Sequence, residues 1–229
     1  MKWALLICLL WAGGASAACR QALAIGMDVS GSVDAGEYRL QLDGLADALD
    51  DPGVRDALFA IPDAPVSLLI FEWSGPLSQR VLVDWTLIDG PEVLTRVTQS
   101  VRAAERSLQD PSTAIGAAKR FGASALATQS ACWRRVLDLS GDGKSNTGPR
   151  PGMVRPQGVT VNALVIGTDS AQGQDPGVAE LTSYFRAYVI EGEGAFIETA
   201  LGFKDLKDAM IRKLKRELQV LVVGQAKGQ

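Results

Sequence analysis

The sequence predicts an α/β domain built on a single doubly wound, mainly parallel sheet with one antiparallel edge strand and helices on both faces. Three observations carry this prediction. Apolar runs of strand length alternate with stripes of helical period along the chain. The turn signal Ser74-Gly75-Pro76 separates two strand-like runs with no helix between them, which marks a hairpin and hence an antiparallel pair. No repeat, linker or low-complexity tract interrupts the pattern, and 229 residues with 47% hydrophobic and 21% charged side chains suit one core rather than two full domains.

The elements follow in order. Met1-Lys2, the apolar run Trp3 to Ala12 and the small-residue pattern Ala15-Ser16-Ala17 read as a signal peptide over residues 1–17. It is too short to span a bilayer, and no other segment approaches about 20 apolar residues. The mature chain, 18–229, is therefore expected to be one exported domain without a transmembrane segment, in the periplasm or outside the cell. A lipoprotein acylated at Cys19 is a minor alternative, because Ser16 stands where a lipobox prefers an aliphatic residue.

Ala22 to Val29 is an apolar run of the kind expected for a strand covered on both faces. Tyr38, Leu42, Leu45 and Leu49 then recur at helical spacing until Asp51-Pro52-Gly53 punctuates the end. Val66 to Phe71 and Arg80 to Trp85 form the hairpin. Leu94, Val97, Val101, Ala104 and Leu108 make the clearest amphipathic stripe. A helix starting near Thr113 turns Ile115, Ala118, Phe121 and Ala125 inward, followed by a strand from Arg135 to Leu139 and a Gly- and Pro-rich loop from Ser140 to Pro156. A strand from Val159 to Ile166, a helix from Val178 to Tyr188, a short strand from Ala195 to Glu198 and a helix from Phe203 to about Leu221 complete the chain. That last helix carries Lys204, Lys207, Arg212, Lys213, Lys215 and Arg216, interspersed with Asp205, Asp208 and Glu217, and reads as a solvated face over a buried stripe. Trp73, Trp85 and Trp133 read as core or edge packing.

Composition excludes several chemistries. There is no histidine, so Ser-His-Asp and Cys-His catalysis and every His-ligated metal centre are ruled out. A net charge of −3 argues against nucleic acid as the main partner. Chemistry must come from carboxylates, hydroxyls, amides or the backbone.

In doubly wound sheets ligands sit beyond the carboxyl ends of the strands. Three oxygen-rich loops fall there. Asp28-Val29-Ser30-Gly31-Ser32 closes the first strand and places Asp28, Ser30 and Ser32 at alternate positions, where they can converge. Ser140-Gly141-Asp142-Gly143 follows a later strand, and Thr113 lies behind Asp110-Pro111-Ser112. Each has an ordinary reading: an Asx turn or cap for the first, an N-cap for Thr113 or Ser112, turn composition for the last. Together they offer hard oxygen ligands with two carboxylates. That set suits Mg²⁺, with Mn²⁺ chemically close and Ca²⁺ less suited because it prefers more carboxylates.

These residues resemble the metal-ion-dependent adhesion site of von Willebrand factor A (vWA) domains, part of the wider Rossmann-like group of folds. The resemblance covers nearly all of the mature chain and extends to the element order. The runs Asp28 to Val33, Thr113-Ala114-Ile115-Gly116 and Ser140-Gly141-Asp142-Gly143 are similar to those of a bacterial group of exported vWA-like proteins of unknown function. The resemblance implies that Ser30 and Ser32 bind the metal directly. Thr113 would bind directly or through water, and Asp28 and Asp142 directly or one shell out. One coordination position would stay open for an acidic residue of a protein ligand, without catalysis. Asp110-Pro111-Ser112 departs from the family, which more often has a glycine-rich approach to the Thr.

Two other motifs compete. Gly143-Lys144-Ser145 is not a phosphate-binding P-loop, because Asp138 stands where that motif needs glycine. Gly141 to Asn146 is similar to the magnesium loop of haloacid-dehalogenase-like phosphatases, with Asp28 as nucleophile. Ser30, however, stands where those enzymes need an acidic proton donor. An exported Mg²⁺-dependent phosphatase-like hydrolase is the alternative function.

Cys8 leaves with the signal, and Cys19 and Cys132 form an even pair in a compartment that tolerates disulfides. Cys19 lies nine residues before Asp28 and Cys132 ten before Asp142. The resemblance makes the two strands neighbours, about 4.8 Å apart. Their Cα atoms would then fall in the bonding window of about 4.4–6.8 Å, which predicts a Cys19–Cys132 disulfide at the end of the sheet away from the metal.

Overall fold

The computed structural model describes residues 19–107, 110–167 and 177–225. The signal-peptide prediction and Leu108 lie outside them. In chain order the elements are β1 (Cys19–Asp28), α1 (Ala35–Asp50), α2 (Pro52–Phe59), β2 (Val66–Trp73), β3 (Gln79–Ile88), α3 (Pro91–Ala103), α4 (Ile115–Ala127), β4 (Cys132–Gly141), β5 (Thr160–Ile166), α5 (Val178–Tyr188), β6 (Ile197–Ala200) and α6 (Leu206–Gln225). The six strands form one sheet in the order β3-β2-β1-β4-β5-β6. All pairs are parallel except β2–β3, the antiparallel edge expected from the hairpin.

Both faces are covered, and β1 shows why its sequence is apolar throughout. Leu23, Ile25 and Met27 pack on one face with Leu42 and Leu45 of α1, Leu94 and Val97 of α3 and Met210 and Leu214 of α6. The alternate residues Ala22 and Ala24 face the other way, in a cluster with Ile115 and Ala118 of α4 and Leu181 and Phe185 of α5. Each such large aliphatic side chain, fully buried, contributes roughly 1.5–3 kcal/mol. Between them, a Cβ on Gly26 would come within 2.6 Å of the Phe71 ring and 2.8 Å of Leu139, so this position in β1 has room only for glycine.

Several boundaries differ from the sequence reading. Asp51-Pro52-Gly53 ends α1 but also starts α2. The Asp51 side chain accepts the Gly53 and Val54 amides, and Pro52 occupies the first helical turn, where its missing N–H costs nothing. The final short strand begins at Ile197 rather than Ala195. Trp73 is fully buried, whereas Trp133 is 54% exposed and does not pack into the core.

The larger correction concerns α6. Lys213 and Glu217 are not on a solvated face; both are buried against the sheet. The Lys213 ammonium contacts the buried Asp138 carboxylate of β4 and lies 3.6 Å from Glu217. Asn162 of β5 donates to Glu217 at 2.5 Å and accepts the Phe196 amide at 3.0 Å. One cation thus serves two carboxylates. Burial, reinforced by the Asp138 charge, pushes Glu217 up to about 8.

Cys19 pairs with Cys132 across β1 and β4, and the two are joined by a disulfide with Cα atoms 4.4 Å apart. The Cys19 sulfur is thereby committed, leaving none for a lipid thioether at that residue.

Two outcomes follow. A chain of residues 18–229, unfolded without reduction, should show no free thiol, and reduction should cost on the order of 2–4 kcal/mol of stability; titration of two thiols would refute the bridge. Glu217 should favour the fold fully below its ordinary pKa of 4.5 and lose that contribution as pH rises through about 8. Urea unfolding at pH 5.5 and 8.5 should therefore show a loss of stability in the wild type that is smaller in Glu217→Gln. Parallel behaviour of the two proteins would refute the assignment.

Candidate metal centre

The β1 and β4 loops meet at the carboxyl end of the sheet. Asp28 ends β1, and its Oδ1 accepts the Ser30 amide at 2.9 Å, closing an Asx turn. That turn brings Ser30 Oγ to 3.3 Å from Ser32 Oγ, and Ser32 Oγ donates to Asp142 Oδ1 at 2.8 Å. Asp28, Ser30, Ser32 and Asp142 are therefore brought into one chain of contacts across two loops. Asp28, Ser30 and Asp142 are buried, with Ser32 exposed at the rim.

None of these residues serves as a helix cap. Asp34 caps α1 instead, in a reciprocal capping box with Glu37. Thr113 is likewise not a cap: α4 starts after Ala114 with no side-chain cap. Thr113 is buried, and it is tied to the Asp142 loop. Its amide donates to Asn146 Oδ1 at 2.9 Å, and its carbonyl accepts the Asn146 amide at 2.9 Å. The approach Asp110-Pro111-Ser112 is held by local hydrogen bonds. Asp110 accepts both the amide and the hydroxyl of Ser112, and Pro111 O accepts the Gly31 amide at 2.9 Å. A Cβ on Gly31 would come within 2.8 Å of Pro111, so glycine lets the two loops touch.

Three supporting residues had no role of their own in the sequence reading. Gln41 donates to the Asp28 carbonyl at 2.8 Å, and Ser140 Oγ accepts the Asp28 amide at 3.2 Å. Arg106 is the third; its guanidinium donates to the carbonyls of Val29, Ser30 and Val33, gripping the serine loop from outside. Gln41 had a sequence signal, a polar residue three positions after Tyr38 on the buried face of α1. Arg106 had none, because only the folded loop brings it there.

The electrostatics are unusual for an end of a sheet. Burial pushes the Asp28 carboxyl up to about 8, and the charge of Asp142 adds to the effect, while the Ser30 amide opposes it. The Ser30 hydroxyl and the Asp142 amide also hydrogen-bond the Asp28 carboxyl and oppose the shift. Two buried carboxylates held together are costly unless a cation joins them. Ser32 also spends its proton on Asp142, which leaves its lone pairs available to a cation. Among the described residues no three Cys, Asp or Glu side chains cluster as a metal site. The donor set here is instead two carboxylates plus hydroxyls, and it fits a hard divalent ion.

A family described as "Protein of unknown function (DUF1194)" matches residues 18–222. The chain belongs to this DUF1194 family. No curated relative matches it. Solved structures are similar at low identity. Proximal thread matrix protein 1 from the mussel byssus is 16% identical with a TM-score of 0.61, covering 89% of this chain and 49% of that one. The von Willebrand factor type A protein from Catenulispora acidiphila is 14% identical with a TM-score of 0.61, covering 87% and 43%. The pilus adhesin SpaC from Lactobacillus rhamnosus GG is 12% identical with a TM-score of 0.56, covering 89% and 30%. The DUF1194 chain thus has the vWA fold and spans about half the length of the mussel protein. One structure of that mussel protein has a zinc-occupied MIDAS motif, the metal-ion-dependent adhesion site.

Arg106→Ala should leave the protein folded and weaken Mg²⁺ binding by roughly tenfold or more, the usual scale for residues that orient ligands. Titration calorimetry checks this, and unchanged affinity would remove Arg106 from the site. Asp142→Ala should keep or slightly raise thermal stability in EDTA, because it removes the charge facing Asp28.

Proposed function

We propose that this protein captures an acidic residue of a partner protein through a divalent metal, Mg²⁺ or Mn²⁺, and catalyses no reaction. Asp28, Ser30, Ser32, Thr113 and Asp142 would hold the ion. The observation that carries this reading is the contact chain from Asp28 through Ser30 and Ser32 to Asp142, which joins two loops far apart in sequence. Two carboxylates at most neutralise a divalent ion, and hydroxyls add no charge, so the ion keeps appetite for a further carboxylate. The zinc-occupied site in the mussel protein supports a divalent ion in this position of the fold. The hard oxygen donors favour Mg²⁺ or Mn²⁺ over zinc in this chain.

Export, with residues 1–17 removed as a leader, is part of the same proposal. The Cys19–Cys132 disulfide fits an oxidising compartment, and similar structures include a pilus adhesin and a byssal matrix protein. No helix among the described residues is long and apolar enough to cross a membrane.

One observation weighs against the hydrolase alternative with Asp28 as nucleophile. Ser30, two residues on, donates its amide to Asp28 and offers no acidic proton.

Calorimetry should show Mg²⁺ and Mn²⁺ binding to the wild type and none to Asp142→Ala or Asp28→Ala. Equal binding by wild type and Asp142→Ala would refute the metal assignment. Hydrolysis of a generic phosphoester that is lost in Asp28→Asn would establish the alternative.

A further inference from the structure

The loop that follows Asp142 runs down the flank of the domain and forms one wall of a groove of about 740 Å³ against α5. The groove starts at Ser145-Asn146, the residues that hold Thr113, so it opens directly beside the candidate metal centre. Its apolar surface is exposed: Met153 is 79% and Tyr188 53% accessible, and the Tyr188 ring packs on Tyr184 at 5.2 Å. Two cations border it, Arg150 and Arg155, and among the described residues no carboxylate lines it. Among the described residues neither arginine is in an ion pair, although the protein as a whole is acidic, with 26 acidic residues against 23 basic.

The floor is built rigidly. Gly116 of α4 lies so close that a Cβ there would sit 2.0 Å from the Pro149 carbonyl. The buried Lys119 ammonium donates to the Pro151 carbonyl at 3.2 Å and pairs with Glu191 at 3.3 Å. The Ser145 amide donates to the Tyr184 hydroxyl at 3.3 Å, tying the wall to α5. Exposed Tyr, Met and Arg on a preformed surface are the residue types that anchor protein interfaces, and rigidity spares the ordering cost on binding.

We propose that this groove receives the stretch of the partner that flanks its metal-bound acidic residue, and that this stretch is an extended acidic segment with an apolar side chain. The apolar side chain lies between Met153 and Tyr188, and the flanking carboxylates meet Arg150 and Arg155. The inference rests on the metal-capture reading and adds to it the chemistry of the partner. Charge complementarity selects the occupant: a groove bordered by two arginines beside a divalent ion repels a basic segment and attracts an acidic one.

The test uses fluorescein-labelled decapeptides that share one fixed Asp. Flanking positions carry either Glu or Lys, and either Phe or Ser. Anisotropy is measured with the mature protein in Mg²⁺ and in EDTA, and Mg²⁺ binding is followed separately by calorimetry. The Glu/Phe peptides should bind at least tenfold more tightly than the Lys/Phe or Glu/Ser peptides. Tyr188→Ala, at an exposed position, should erase the Phe preference. Arg150→Glu with Arg155→Glu should invert the Glu-over-Lys preference while calorimetric Mg²⁺ binding stays unchanged. Peptides that bind in Mg²⁺ alike to wild type and charge-reversed protein would overturn the groove and leave the metal reading intact. A charge-reversal effect that persists in EDTA would support the groove and overturn the metal reading. Mg²⁺ binding with no retained peptide overturns the proposal, as does an Mg²⁺-dependent dimer in sedimentation that charge reversal dissolves, which would make a second copy the occupant.

Discussion

The parallel pairing of β1 with β4 is the constraint on which the rest of the structure depends. Cys19 faces Cys132, and the same register runs without a shift to Gly26 opposite Leu139. Extending it two residues sets Asp28 level with Gly141, so Asp142 comes one step beyond. One register therefore fixes both ends of the sheet, the sulfur pair at the floor and the carboxylate pair at the top. A slip by one residue would exchange the two faces of β1 and drive Leu23, Ile25 and Met27 into the side where Ala22, Ala24 and Gly26 leave room only for Phe71 and Leu139. It would also pull the sulfurs out of bonding range. The disulfide thus acts as a register lock at the end of the strand opposite the candidate site, stabilising its loops without touching them.

What the register brings together, the surrounding groups hold in place. Carbonyls are the free handles of a loop, and those of Asp28, Val29, Ser30 and Val33 are all engaged by Gln41 or Arg106. With its carbonyls held, the turn cannot rotate Ser30 and Ser32 away from Asp142. The cost of forcing two carboxylates together is borne by the whole core, since only a packed sheet can oppose that repulsion. Asp138, Lys213 and Glu217 show the opposite solution on the α6 face. There a lysine from the protein itself joins two buried carboxylates, and the helix is pinned to the sheet instead of a ligand being recruited.

The fold was legible because apolar periodicity survives in every major element: β1 and β5 read as continuous runs, and α3 as a stripe. The candidate site was legible because its donors sit at short, regular spacing just after strands. The misses have physical causes. Asp51-Pro52-Gly53 carries stop and start signals at once, since an acidic cap followed by proline opens a helix as readily as proline closes one. Lys213 and Glu217 were assigned to water because lysine and glutamate are rarely buried; only partners from β4 and β5 make their burial tolerable, and those partners are more than 50 residues away in sequence. Arg106 belongs to the same class, a residue whose role exists only in tertiary contact.

The choice of hydroxyls over carboxylates at positions 30 and 32 has a consequence for recognition. A carboxylate in place of Ser30 or Ser32 would add negative charge beside a pair that burial already strains, raising the cost of the metal-free fold. It would also over-neutralise a divalent ion and weaken its attraction for an incoming acid. Serine supplies the oxygen without the charge. It can also donate a proton to Asp142, which orients its lone pairs. In the proposed role the affinity for metal alone is limited, because part of the ion's charge is left for the partner. Strong metal binding and strong capture of an acidic ligand draw on the same charge, and under that proposal this donor set divides it in favour of the ligand.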